Sequence, residues 1–299
     1  TGPMAIEYAK VLKAQRRPFI VVGRGQNSAD QFRALTGVQP EIGGLQSWLR
    51  RNSPAGKRAI VAVSENELGR VTLALLKHHC RNILVEKPGA FTAGEIGIVA
   101  KLAKRIKAKV YVGYNRRFYA SVLAAGKIIQ KDGGVTSFSF EFTEWSHVIG
   151  KLNKAPGVKT HWFLHNSTHV IDLAFWLGGW PRKISTFSTG NLPWHPRASI
   201  FAGAGVSEKR ALFSYQANWQ SPGRWSVEIL TKKHRLIFRP MEKLQIQNIG
   251  SVTITELSID DQLDQKFKPG LYRQVQAFFR KDRRLSTISQ QIDHLRWYK

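Results

Sequence analysis

The sequence predicts an α/β unit built on a parallel sheet, followed by an α+β unit with an open-faced, mainly antiparallel sheet. Three observations predict it. Short apolar, β-branched runs alternate with helical patterns up to about residue 113. After Arg117 the rhythm changes to closely spaced strand-like runs, and a chain of 299 residues exceeds what one hydrophobic core usually holds.

The elements follow in order. TGPMAIEYAKVL (1–12) reads as a turn feeding a helix over 4–14, with Pro3 at the helix start and Met4, Tyr8, Val11 and Leu12 on one face. PFIVVG (18–23) reads as a strand, then a helix over 28–35. RAIVAVS (58–64) is the next strand, before a helix over 66–78. NILVEKP (82–88), a helix over 92–106 and KVYVGYN (109–115) complete a parallel sheet covered on both faces. A helix over 119–131 then precedes strands at 135–146, 183–189, 198–204, 210–219, 225–231, 234–239, 243–248 and 252–256. A helical segment over 167–177 interrupts them, and helices close the chain after Leu271. The expected domains are 1–117 and 118–299.

Composition is that of a globular protein, 42% hydrophobic, and no apolar run approaches the roughly 18 residues that cross a bilayer. The single cysteine, Cys80, cannot form an internal disulfide, and the opening lacks the pattern of a signal peptide, so the expected location is the cytoplasm. The net charge of +26 attracts polyanions and phosphorylated metabolites alike. Its basic residues are scattered through KAQRR, RRNSPAGKR and RKDRR rather than gathered in an arm or finger, which favours a basic enzyme over a nucleic-acid binder.

A dinucleotide-binding unit runs a strand into G-x-G-x-x-G/A and then a helix, so that N–H groups at the helix start face the pyrophosphate. TGPMA supplies x-G-x-x-A, with Gly2, Pro3 and Met4 at the helix start. The first glycine and strand of that pattern are absent before Thr1, which leads to the expectation of an N-terminal truncation of roughly five to ten residues. About twenty residues on, where a carboxylate would read the adenosine ribose, VVGRG offers none. Arg24 suits a 2′-phosphate instead, so NADP(H) is expected in preference to NAD(H).

Three later stretches, VEKPGAFTAGE (85–95), VGYNRRFY (112–119) and HNSTHVIDLAFWLGG (165–179), resemble the glucose–fructose oxidoreductase, inositol dehydrogenase and rhizopine catabolism family in order and spacing. FKPGLYRQVQAFF (267–279) extends the resemblance over nearly the whole chain. It implies a Rossmann domain, here without its first strand, and an α+β domain with an open sheet. It also implies NAD(P) bound between them and redox chemistry at a hydroxyl-bearing carbon of a sugar, nucleotide sugar or cyclitol.

Hydride transfer from a carbinol carbon requires a group to take the hydroxyl proton and a field that favours the alkoxide. Lys87, at the carboxyl end of a parallel strand, is placed to polarise that oxygen, with Glu86 orienting Lys87 or the carboxamide. His169 opens a helix whose start disfavours the imidazolium, which suits a neutral base. The resemblance implies that His169 accepts the proton. Four residues earlier the family commonly carries Asp; here His165 stands in that place, as a neutral partner or a second base. Ser64, Asn66, Asn115 and Arg116 are further cofactor candidates, the last two also facing substrate. Trp162, Asn166 and Tyr272 are the expected sugar contacts, while Asp172 is expected to be structural and Arg117 either to join the contacts of Asn115 and Arg116 or to salt-bridge between domains.

Two rival readings remain. His161, His165 and His169 recur every four residues, which on one helix would gather metal ligands, but a cap expected within HWFLHNST argues for no metal. The second is a non-catalytic NADP-binding sensor or co-repressor, which the exchange at His165 favours and the retained Lys87 and His169 oppose. An open sheet also leads to the expectation of a homodimer or homotetramer.

Overall fold

The computed structural model describes residues 1–297. They form two compact units, Thr1–Asn115 with Gln265–Leu295, and Arg116–Asp264 with the residues from Arg296.

The first unit begins with α1 (Pro3–Ala14). Pro3 takes the first helical position, where its missing N–H costs nothing, and the helix buries Tyr8, Ala9, Val11 and Leu12. The run at 18–23 departs from expectation. Only Val22 makes a β-bridge, parallel with Glu41, so this β-branched segment is not a sheet strand. Its local pattern favours extension, but a strand also needs a partner on its hydrogen-bonding edge. Next comes α2 (Gln26–Thr36), stopped by Gly37 at φ 68°, and then a short unanticipated α3 (Gly44–Leu49). β1 (Arg58–Val61), α4 (Leu68–Lys77), β2 (Asn82–Val85), α5 (Ala93–Arg105) and β3 (Lys109–Val112) follow. Thr92 caps α5 by accepting from the Glu95 N–H at 3.2 Å. The three strands are parallel and in register, Val61 opposite Val85 and Val85 opposite Val112.

The second unit opens with α6 (Ala120–Lys131), β4 (Ser137–Glu141) and the short α7 (Ser146–Ile149). A π-helical turn over Phe163–Ser167 runs without a break into α8 (Thr168–Gly178), so the helix stop expected between His165 and His169 is absent. Then come β5 (Pro181–Thr189), β6 (Ile200–Ser207), β7 (Leu212–Asn218), β8 (Ser226–Leu230), β9 (His234–Phe238), β10 (Gln245–Asn248), β11 (Ile254–Glu256) and α9 (Gln262–Lys266). The strands make one sheet in the order β11-β10-β9-β8-β4-β7-β6-β5, antiparallel except where β4 pairs β7. β4 alternates buried and half-exposed residues, the period-two signature of a sheet covered on one face. Its Phe138 and Phe140 stack on Phe213 and Tyr215, each pair at 5.2 Å, and meet Phe175 of α8 edge-on.

Residues after 265 then return to the first unit. α10 (Leu271–Arg280) packs on α1, β12 (Ser286–Thr287) adds an antiparallel edge to β3, and α11 (Ile288–Leu295) covers α5. The first sheet therefore has the order β1-β2-β3-β12. Among the described residues no helix is long and apolar enough to cross a membrane.

Candidate functional site

In the first unit the candidate centre is the turn at the carboxyl end of β2. Glu86 and Lys87 follow directly on Val85, with a cis bond between Lys87 and Pro88, and both are half-buried. Gly113 allows this turn to lie against the end of β3, since a Cβ there would sit 3.3 Å from the Val85 carbonyl and 3.4 Å from the Glu86 Cα. Its own N–H donates to Val85 O at 2.8 Å.

The carboxylate of Glu86 accepts from the Tyr8 hydroxyl at 2.6 Å. Tyr8 is buried in α1 and lies 3.3 Å from the amide of Gln274 in α10. That amide is satisfied when its oxygen accepts from the N–H groups of Tyr114 (3.2 Å) and Asn115 (3.1 Å) while its nitrogen donates to Tyr8. Three distant segments thus meet at the base of the Lys87 turn. Burial pushes the Glu86 carboxyl up, against the opposing pull of the Tyr8 hydrogen bond, Lys87 and Lys268. Burial, then the charge and hydrogen bond of Glu86, raises Tyr8 well above the usual phenol range. Neither Tyr8 nor Gln274 was legible in the sequence as a partner of this turn. Tyr8 looks like one more apolar-face aromatic, and its partner stands 78 residues away.

The other first-unit candidates are placed as follows. Gly2 caps α1 in extended geometry and has no atom within 4 Å of where a Cβ would stand, so the helix start is open. The N–H groups of Met4 and Ala5 precede the first helical bond, made by Ile6 to Gly2 O at 3.2 Å; Pro3 has none to give. Arg24 is exposed, its guanidinium 3.8 Å from Glu67. Ser64 and Asn66 are exposed around the 3-10 turn that leads into α4. Asn115 donates to Pro269 O at 2.9 Å, and Tyr272 lies in α10 with its carbonyl accepting from Gln15 at 2.8 Å. Tyr272 is therefore carried by the first unit.

In the second unit the candidate centre is the π-helical turn and the start of α8. His169 is buried at the second helical position, 6.2 Å from the ring of Trp225. His165 is buried one turn earlier and stacks on His161 at 6.0 Å. Among the described residues no group of three or more His, Cys, Asp or Glu side chains is placed to hold a metal ion.

Asn166 donates to both oxygens of Glu144, at 3.0 and 3.1 Å, and Ser167 donates to the same carboxylate at 2.9 Å. Glu144 is 1% exposed, and burial pushes its carboxyl up against those hydrogen bonds, Arg224 and Trp162. It holds Asn166 in place, and it too was not anticipated. Trp162 is buried against Trp194. Arg116 and Arg224 each place a guanidinium 4.6 Å from the centre of the Trp225 ring, so two cations stand on this indole beside His169. Arg117 makes a buried two-point ion pair with Asp172, at 2.7 and 2.5 Å, inside the second unit. Asp172 is thus held in a buried ion pair, and this partner of Arg117 lies in its own unit.

No family model matches the chain, and no curated protein sequence matches it. Solved structures do. An NAD binding oxidoreductase from Klebsiella pneumoniae superposes with a TM-score of 0.77 at 14% identity, over 99% of this chain and 92% of its own. UDP-N-acetylglucosamine 3-dehydrogenase from Acidithiobacillus ferrooxidans gives 0.73 at 11% identity, over 100% and 93%. Levoglucosan dehydrogenase with NADH and L-sorbose gives 0.74 at 16%, over 97% and 91%. The chain shares their fold. Both the parallel sheet and the large, mainly antiparallel sheet fall inside the matched length.

Proposed function

We propose that the chain is an NADP(H)-dependent oxidoreductase acting at a hydroxyl-bearing carbon of a sugar, nucleotide sugar or cyclitol. The observation that carries this reading is the Lys87 turn. A lysine closes a buried parallel strand at its carboxyl end, where open α/β sheets collect ligands. Its preceding carboxylate is anchored by Tyr8, which is held in turn by Gln274. The shared fold supports the reading, since the similar structures include dehydrogenases of levoglucosan and of UDP-N-acetylglucosamine.

The open helix start at Gly2 fits a pyrophosphate, with the Met4 and Ala5 N–H groups as donors. Arg24 is exposed and able to reach a 2′-phosphate, with Ser64, Asn66, Glu86, Asn115 and Arg116 as further cofactor contacts. When bound, the nicotinamide accepts or supplies the hydride. Lys87 then donates a hydrogen bond to the substrate oxygen and stabilises its anionic form. His169 takes or returns the hydroxyl proton, and His165, in the preceding turn, assists as a neutral partner. Trp162, Asn166 and Tyr272 contact the sugar, and Glu144 holds the Asn166 amide in one orientation. The exposed face of β5, with Phe187 72% exposed, supports pairing with a second copy. The free, buried Cys80 accords with a cytoplasmic setting.

The test is a fluorescence titration with NADPH and NADH, followed by turnover on a panel of neutral and phosphorylated sugars. NADPH is expected to bind more tightly, and Arg24→Ala to remove that preference. Lys87→Met and His169→Asn should each lower kcat by about 10²- to 10⁴-fold while NADPH still binds. Binding without turnover on any sugar would favour the sensor reading, and absence of binding to either nucleotide overturns both.

A further inference from the structure

Two consecutive arginines of the second unit are treated in opposite ways by the fold. Arg117 forms its two-point ion pair with Asp172, so its charge is matched where it is buried. Arg116 has no such match. Its guanidinium stands 4.6 Å from the centre of the Trp225 ring and 5.9 Å from that of Tyr119, and among the described residues its side chain makes no ion pair. Its Nε is shut off from solvent with no acceptor, and so is the Nε1 of Trp225, a residue only 7% exposed. Aromatic faces hold a guanidinium plane, but they return less than a buried ion loses with its water.

The surroundings add positive charge rather than remove it. Arg224 lies on the same indole, and its guanidinium is also 4.7 Å from the centre of the Trp145 ring. The loop that carries it is pinned, because Trp145 donates from Nε1 to the Gly223 carbonyl at 3.0 Å and a Cβ on Gly223 would run into Glu141 and Thr143. Burial pushes the Arg116 guanidinium below its ordinary value and Arg224 pushes it the same way, against the pull of Tyr119, Glu242 and Glu144. Of these two carboxylates, Glu144 is engaged by Asn166 and Ser167 and stands 3.8 Å from Arg224, while Glu242 is exposed and screened by water. Two cations and one enclosed carboxylate leave one positive charge unmatched.

We propose that Arg116, reinforced by Arg224, binds the carboxylate of an acidic monosaccharide, so that the substrate is a sugar acid of the hexuronate type. This rests on the sugar oxidoreductase reading above. An ionised carboxylate accepts hydrogen bonds and donates none, which is what a cluster of unmatched N–H groups requires, and its planar pair of oxygens fits the guanidinium fork. Its single negative charge balances the one left over, whereas a phosphate dianion would set surplus negative charge against Glu144. The His169 ring is 6.2 Å from the Trp225 ring on which both guanidinium groups lie. The carboxylate and the carbinol that gives up its proton can therefore sit on one monosaccharide, and Arg116 sets its orientation as well as its affinity.

Ligand-dependent thermal shift and calorimetric titration test this on the whole chain. The probes are D-glucuronate, D-galacturonate and D-mannuronate, each beside its neutral 6-amide, with D-glucose 6-phosphate and inorganic phosphate. At least one uronate is expected to bind about tenfold or more tightly than its amide and to raise Tm. Arg116→Gln should bring that uronate to the level of its amide, and Arg224→Gln, which leaves Arg116 in place, should cut the preference by about two- to fivefold. Should Arg116→Gln fold poorly, Arg116→Lys keeps the charge, loses the fork and should lower the preference in the same direction. Absence of uronate binding, equal binding of uronates and amides, or tighter binding of the phosphates overturns the proposal. So does a preference that survives undiminished in both Arg116 variants, or a loss of NADPH binding in them with no uronate preference in the parent, which would give Arg116 to the nucleotide. NADPH titration of the parent is read separately. Uronate preference without nucleotide binding keeps this site and removes the oxidoreductase reading, while nucleotide binding without uronate preference does the reverse.

Discussion

Tyr8 shows how much one side chain contributes when it joins segments that sequence order keeps apart. Tyr8→Phe keeps the ring and removes the hydroxyl that Glu86 accepts from, and leaving that carboxylate short of a donor should cost about 1–3 kcal/mol at neutral pH. The pH dependence follows from two raised values. Glu86 is held above the ordinary carboxylate range, so its charged form disfavours the fold only above that range and the variant's deficit should shrink as pH falls below it. Tyr8 is raised as well, so its neutral form contributes stability below the usual phenol range that is lost above it, and the variant should lack this alkaline loss. Guanidinium unfolding of both proteins at acid, neutral and alkaline pH checks each sign. Lys87 and His169 could be put forward from the sequence because each sits in a distinctive local string. Gln274 and Glu144 could not, because a glutamine in a helix or a glutamate after a strand draws notice only through its partner.

At the level of elements, most boundaries follow from periodicity, and the exceptions have a common cause. The apolar run at 18–23 makes a single bridge at Val22 and joins neither sheet, and the turn at 163–167 is π-helical where a cap was expected. Ser167, the expected cap, donates to Glu144 instead. In both cases a tertiary partner, absent or present, overrides the local preference. The junction of α8 with β4 makes a test. A Cβ on Gly178 would lie 2.3 Å from the Phe138 ring, which Phe213 and Phe175 hold on its other sides. Alanine's better helix propensity is worth about 1 kcal/mol, whereas overpacking a fixed core costs about 1–3 kcal/mol or more. Gly178→Ala should therefore lower stability in urea unfolding, and Phe138→Leu in the same chain should restore part of it by making room.

At the scale of the whole molecule, chain order and spatial units do not coincide. Residues 265–295 belong with Thr1–Asn115, where Leu271, Val275 and Phe278 of α10 are buried and β12 covers the edge of β3. A chain ending at Asp264 should lose the cooperative unfolding of the first unit, while the near-UV signal of the Phe138–Phe213 and Trp194–Trp219 stacks in the second persists. Calorimetry and circular dichroism on the shortened chain check both. By itself the sequence determined the alternation of helix and strand and the change from a parallel to a mainly antiparallel architecture. These depend on side-chain period and on strings a few residues long. Only the tertiary structure decided that Tyr8, Glu86 and Gln274 meet and that Glu144 holds Asn166. Each depends on hydrogen-bond partners brought together from distant parts of the chain, and no local pattern encodes which distant group will be there.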